Sequence, residues 1–158
     1  MKSFFILVFL LAVCTSCGTG NAIDETYSFA LQWGYDGMYS YDSTTGELVK
    51  GANVSQYVLT EAECLRIQDI LRNLDVQSYP DEYNPNENLA TSPPMTLLLT
   101  VRTEAWEKTI TAKEIASCYA SEDRRGQRFL DVFVQITEIL ERTAVWNAMP
   151  DVDLFYLE

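Results

Sequence analysis

Tyr27-Ser28-Phe29-Ala30-Leu31-Gln32-Trp33 sets four large apolar or aromatic side chains at every second position. In an extended chain successive side chains point to opposite faces, so Tyr27, Phe29, Leu31 and Trp33 share one side. That period predicts a half-buried strand with a core on one face only. Asp36-Gly37 follows, a dipeptide suited to a tight hairpin turn, and Met38-Tyr39-Ser40-Tyr41 reads as the returning strand. A second turn, Asp42-Ser43-Thr44-Thr45-Gly46, leads into Glu47-Leu48-Val49-Lys50. The first fifty residues therefore read as a tyrosine-rich meander.

Moving outward, the period changes from two to 3.6. Thr60 and Glu63 have the spacing of a capping box, and Leu59 stands where a hydrophobic staple would. Cys64, Ile67, Ile70, Leu71 and Leu74 then fall on one helical face. Tyr79-Pro80 ends the following segment, because the residue before proline resists helix. Residues 79–94 are polar and punctuated by proline, long for a connection inside a compact domain. Met95 to Arg102 alternates again, and Thr103-Glu104-Ala105 turns it into a less apolar strand from Trp106 to Lys113, which suits a place near a sheet edge. A second helix is predicted from about Arg124 to Trp146, with Phe129, Val132, Phe133, Ile136, Ile139 and Leu140 as its buried stripe and Thr143 on the same line. The apolar tail from Met149 to Leu157 is expected to lie back on the domain. The order predicts an α+β fold: an antiparallel sheet of about four to five strands, with two main helices packed on one face.

Composition bounds the function. The chain has 158 residues, 23 acidic and 11 basic side chains, a formal net charge of −12 and no histidine. An apolar content of 47% suits one folded domain. Without histidine there is no Ser-His-Asp triad, no Cys-His pair, no imidazole-ligated zinc and no imidazole pH switch. The acidic balance argues against nucleic acid and anionic lipid headgroups as partners.

The first residues carry an address. Lys2 precedes ten apolar residues, Phe4 to Val13, and small residues follow at once. Such a run suits a signal-peptide core and falls short of the roughly 20 residues that span a bilayer. Leu11-Ala12-Val13-Cys14 and Cys14-Thr15-Ser16-Cys17 both resemble the lipobox of bacterial lipoproteins, in which a small residue precedes a cysteine that becomes diacylated and then N-terminal. Cys17 follows the small Ser16, while Cys14 has the better Leu11 but follows bulky Val13, so Cys17 is preferred and Cys14 is the alternative. The resemblance implies a signal peptide over 1–16, a lipid-anchor cysteine with a flexible tether over 17–26, and a single globular domain over 27–158. It also implies export, with the protein held on the outer side of the cytoplasmic membrane or cell envelope; two acyl chains suffice for that without a basic patch. Leu59-Thr60 before a helix, Leu74-Asp75 with Tyr79-Pro80, the hairpin around Trp106 and a final helix to Trp146 are similar to small uncharacterised bacterial lipoproteins. That group supplies no activity and no catalytic residues to carry over.

Several residue sets are candidates for a site. Trp33, Tyr35, Tyr39 and Tyr41, if outward, form an aromatic patch for an envelope protein or glycan; the plain alternative is that strands favour tyrosine and the rings pack. Asp81, Glu82 and Glu87 sit in the long loop, where carboxylates could serve acid/base chemistry. The same loop offers oxygen ligands but lacks the spacing and central glycine of an EF-hand, so no metal or cofactor is assigned. Arg124, Arg125 and Arg128 near a helix start could cradle an anion with Ser121 and Gly126, or be compensated by Glu122 and Asp123. Cys64 and Cys118 could pair outside the cytosol, closing a loop of about 55 residues worth about 4 kcal/mol, or remain two thiols. The expected role is binding or structural, with no chemistry identified. The alternatives are a small Asp/Glu-dependent hydrolase or glycan-modifying enzyme, and a secreted inhibitor acting through the 79–94 loop.

Overall fold

The computed structural model describes residues 27–86, 95–115 and 120–152. Six strands form one antiparallel sheet: β1 (Ser28–Trp33), β2 (Tyr39–Asp42), β3 (Glu47–Lys50), β4 (Asn53–Gln56), β5 (Met95–Arg102) and β6 (Glu107–Ile115). Their spatial order is β4-β3-β2-β1-β5-β6. Helix α1 (Glu61–Arg72) carries the chain from β4 back to β5, and α2 (Arg124–Glu141) and the short α3 (Ala144–Ala148) follow the sheet. The fold is α+β, with one strand more than the four to five expected.

The additional strand is β4. It has no apolar alternation, and its one large apolar residue, Val54, is 63% exposed. It exists because Gly51 turns at φ +61° and returns the chain to pair with β3.

Strand β1 lies inside the sheet, which is why its alternation was so clean. Leu48, Tyr41, Leu31, Leu99 and Ile110 stand side by side across five strands, and none is more than 2% exposed. On the opposite face the same ladder carries Asp42, Ala30, Thr100 and Thr109, with the two threonine hydroxyls 2.9 Å apart. The β1–β2 turn meets the type I′ requirement: Asp36 and Gly37 both have positive φ, and the Met38 N–H donates to the Tyr35 carbonyl at 3.0 Å.

Helix α1 starts as predicted. The Thr60 hydroxyl accepts from the Glu63 N–H, and the Glu63 carboxylate accepts from the Thr60 N–H at 2.8 Å. Helix α2 buries Phe129, Phe133 and Ile136 completely, each worth about 1.5–3 kcal/mol of apolar transfer. The expected continuous helix to Trp146 is corrected: α2 stops at Glu141 and α3 begins at Ala144. Thr143 is the cause. Its hydroxyl donates to the Leu140 carbonyl at 2.7 Å and accepts from the Trp146 N–H, ending one helix and capping the next.

The tail lies on the domain as far as it is described. Met149 is buried, and the ammonium of buried Lys50 reaches the Asp151 carboxylate at 2.7 Å and the Met149 carbonyl at 3.3 Å. Residues 153–158 lie outside the described residues.

Candidate functional site

The meander and the capped helix leave a half-enclosed cavity of about 370 Å³ between them. Its floor is the end of the sheet, Phe29 of β1 and Tyr41 of β2, with ring centroids 5.7 Å apart. Its other wall is α1, which contributes Cys64, Ile67, Gln68 and Leu71 at helical spacing. The segment leading into the helix, Tyr57 to Leu59, and the turn from Ser43 to Gly46 form the rim, and Tyr27 stands where the described chain begins. Among the described residues, every lining side chain is uncharged, in a chain with 22% charged residues.

Hydrogen bonds hold these walls. The Tyr41 hydroxyl donates to the Tyr57 carbonyl at 3.1 Å, and the Tyr57 hydroxyl donates to the Glu63 carboxylate at 2.7 Å. Glu63 also accepts from the Thr60 hydroxyl at 2.8 Å, so one carboxylate ties the rim to the helix cap. The Ser43 hydroxyl accepts from the Phe29 N–H at 2.8 Å, which fixes the turn against β1. Gly46 turns at φ +73°, a conformation that favours glycine, and an added Cβ would crowd the Tyr57 carbonyl at 3.0 Å.

Titration keeps the interior neutral. Burial pushes Tyr41 and Tyr57 up to about 12, helped at Tyr57 by its hydrogen bond to Glu63. Burial first, then the negative charges of Glu63 and Glu61, raise the Cys64 thiol above its ordinary value. Partial burial pushes Glu63 upward too, but bonds from the Thr60 N–H, the Tyr57 hydroxyl and the Thr60 hydroxyl outweigh it and hold the carboxyl below its usual range. The cavity thus offers apolar walls and neutral hydroxyl, thiol and amide groups. It suits binding of an uncharged molecule, and none of its described lining residues is an activated nucleophile.

The residues nominated from sequence fall elsewhere, apart from Tyr41 and Cys64. Trp33 and Tyr41 are 3% and 2% exposed, so the aromatic set does not form an outward patch. Trp33 stacks on Trp146 at 5.6 Å, Tyr39 meets Trp146 edge-on at 5.2 Å, and the Trp33 indole donates to the Glu141 carboxylate at 2.9 Å. Tyr35 is half-buried and bridges to Met95. Trp33 and Tyr39 pack against Trp146 of α3, whereas Tyr41 packs against Phe29 and Tyr57 on the α1 side.

In the 79–94 segment, Asp81 and Glu82 are exposed and Asp81 pairs with Lys108. The Asp81 carbonyl accepts from the Thr111 N–H at 2.7 Å, and the Tyr83 N–H donates to the Thr111 carbonyl at 3.0 Å. The segment is therefore stitched along the outer edge of β6, covering ladder groups that an edge strand would expose. Asn86 is buried and donates to the Ala120 carbonyl at 3.1 Å. The Arg125 guanidinium lies 4.4 Å from the Tyr79 ring centroid and donates to the Ser78 carbonyl at 2.6 Å, and, behind the bond from the Gly126 N–H, its charge helps to hold the nearby Asp123 carboxyl below its usual range. Cys64 is a free thiol. Cys14, Cys17, Glu87 and Cys118 lie outside the described residues, and with them the anchor and the disulfide.

Sequence reasoning missed the cavity. Its signal was present in the tyrosines at alternate strand positions and the small polar turn after them, but their convergence depends on how α1 docks. No protein-family model matches this chain, and no curated protein matches it in sequence.

Proposed function

We propose that this chain is an exported, lipid-anchored binding domain of the bacterial cell envelope, whose cavity between the meander and α1 receives a small uncharged ligand. The observation that carries the binding part is the cavity itself: about 370 Å³, half-enclosed and lined by uncharged side chains alone. It lies in the size range of small-molecule sites. The anchoring part rests on the apolar run from Phe4 to Val13 and the lipobox-like cysteines after it. An acidic domain without a basic patch is suited to attachment by lipid rather than by charge.

A binding role also agrees with the ionisable groups. Backbone and side-chain donors lower the carboxyls of Glu63, Asp123 and Asp151, opposite to the raised value a general acid needs near neutrality. The test is mass spectrometry of the full chain extracted from its own membrane, with a small-molecule extract of the same sample. The expected result is a diacylated N-terminal Cys17 and a neutral compound that disappears when Gln68→Trp fills the cavity. A soluble product with unmodified Cys17 and Cys14 overturns the anchor. An extract unchanged by Gln68→Trp overturns the binding site.

A further inference from the structure

Beyond receiving a ligand, the cavity carries information about which ligand, an inference that rests on the binding reading above. We infer that it is an alkyl-chain site that accepts an uncharged or cationic amphiphile and rejects an anionic one of the same shape.

The walls come first. Aliphatic Leu59, Ile67 and Leu71 line the cavity together with the rings of Phe29 and Tyr41, apolar walls that suit a single hydrocarbon chain. Its volume is at the small end for ligand sites, too small for a two-chain lipid to enter whole. The apolar lining continues outward at Val58, a rim residue that is 83% exposed. A ligand end that emerges there passes over apolar surface before it meets water.

The charges around the cavity come second. The charged side chains acting on Tyr41 are Glu63 and Asp42, and those acting on Cys64 are Glu63 and Glu61. All are acidic. Arg102 offsets part of Asp42 at 3.4 Å, from a position outside the lining. Among the described residues, no lysine or arginine lines the cavity. The backbone donors of the turn are also engaged: the Thr44 N–H bonds the Asp42 carboxylate, the Gly46 N–H the Asp42 carbonyl and the Glu47 N–H the Thr45 hydroxyl. A carboxylate or phosphate held at this rim would lose water, find only neutral hydroxyl and amide donors in exchange, and meet negative charge.

Position comes third. Tyr27, which lines the cavity, stands ten residues after Cys17. A tether of that length spans at most about 36 Å. An anchor at Cys17 would therefore keep the mouth close to a bilayer, where alkyl chains are the abundant neutral ligand.

The test uses the full chain in lipid nanodiscs at pH 8, with decanol, decylamine and decanoate as probes. Cys64 reports occupancy, through its rate of alkylation by N-ethylmaleimide read peptide by peptide. Decanol and decylamine are expected to slow the modification severalfold and decanoate to leave it unchanged. Thr45→Lys, which puts a cation on the exposed rim, should bring decanoate binding up by about two- to fivefold, the worth of an exposed ion pair. Gln68→Trp should abolish protection by decanol, and Val58→Trp, at an exposed position, repeats the block if Gln68→Trp does not fold. Equal protection by decanoate and decanol overturns the charge selection and leaves the binding site standing. Absence of protection by any probe, with wild type and both tryptophan variants alike, overturns the binding reading itself.

Discussion

Gly126→Ala separates helix propensity from packing, because the two predict opposite signs. Gly126 is the third residue of α2, and alanine there gains up to about 1 kcal/mol of helix propensity. The structure says otherwise. A Cβ at Gly126 would stand 2.6 Å from the Pro85 carbonyl oxygen and clash with the Ser121 hydroxyl. The carbonyl belongs to the backbone, so relief requires the 83–86 segment to move off α2. That breaks the Ser121–Pro85 hydrogen bond, worth about 0.5–1.5 kcal/mol, and adds an overpacking cost of about 1–3 kcal/mol. The net expectation is a loss of about 1–3 kcal/mol, or a fall of roughly 4–12 °C in Tm for a domain of this size. Urea and thermal unfolding followed by circular dichroism measure it. Adding Ser121→Gly removes one of the two clashes and should recover only part of the loss. A Gly126→Ala protein more stable than wild type would refute the packing of the loop against α2.

Thr60→Ala should cost about 1 kcal/mol by removing the cap of α1, with a matching drop in the urea midpoint. Glu63 is held below its ordinary value near 4.5, so its contribution is complete above that pH and fades as pH falls through the lower folded value; Glu63→Gln should flatten this part of the acid-unfolding curve. Thr143→Val keeps the shape but leaves the buried Trp146 N–H without its acceptor, at about 1–2 kcal/mol, and should weaken the near-ultraviolet dichroism of the Trp33–Trp146 stack. Without any ligand, Cys64 should react with maleimide more slowly than free cysteine at pH 8, since burial and two neighbouring carboxylates suppress its thiolate.

Local signals were legible where a residue's partner was close in sequence. The strand from Ser28 to Trp33, the Asp36-Gly37 turn and the Thr60–Glu63 box each satisfy a short-range rule, and each is present. Strand β4 was illegible because nothing in Asn53–Gln56 marks one face as buried; its pairing is imposed by β3. The break after α2 was hidden because Thr143 continues the buried line while its hydroxyl serves two backbone groups. The site was the least legible part. An outward patch needs Tyr41 at the surface, yet its hydroxyl bonds the Tyr57 carbonyl and its ring forms a cavity wall. Arg125 likewise stacks on Tyr79, 46 residues away in sequence, and no local rule anticipates that pairing.

Site-resolved hydrogen exchange of the full chain in nanodiscs, with and without decanol, tests the central claim most directly. The account predicts slowed exchange at residues 43–46, 57–59 and 64–71, with β5 and β6 unchanged. Unaltered exchange in those three segments, or protection confined to the sheet face that carries Thr100 and Thr109, would contradict it.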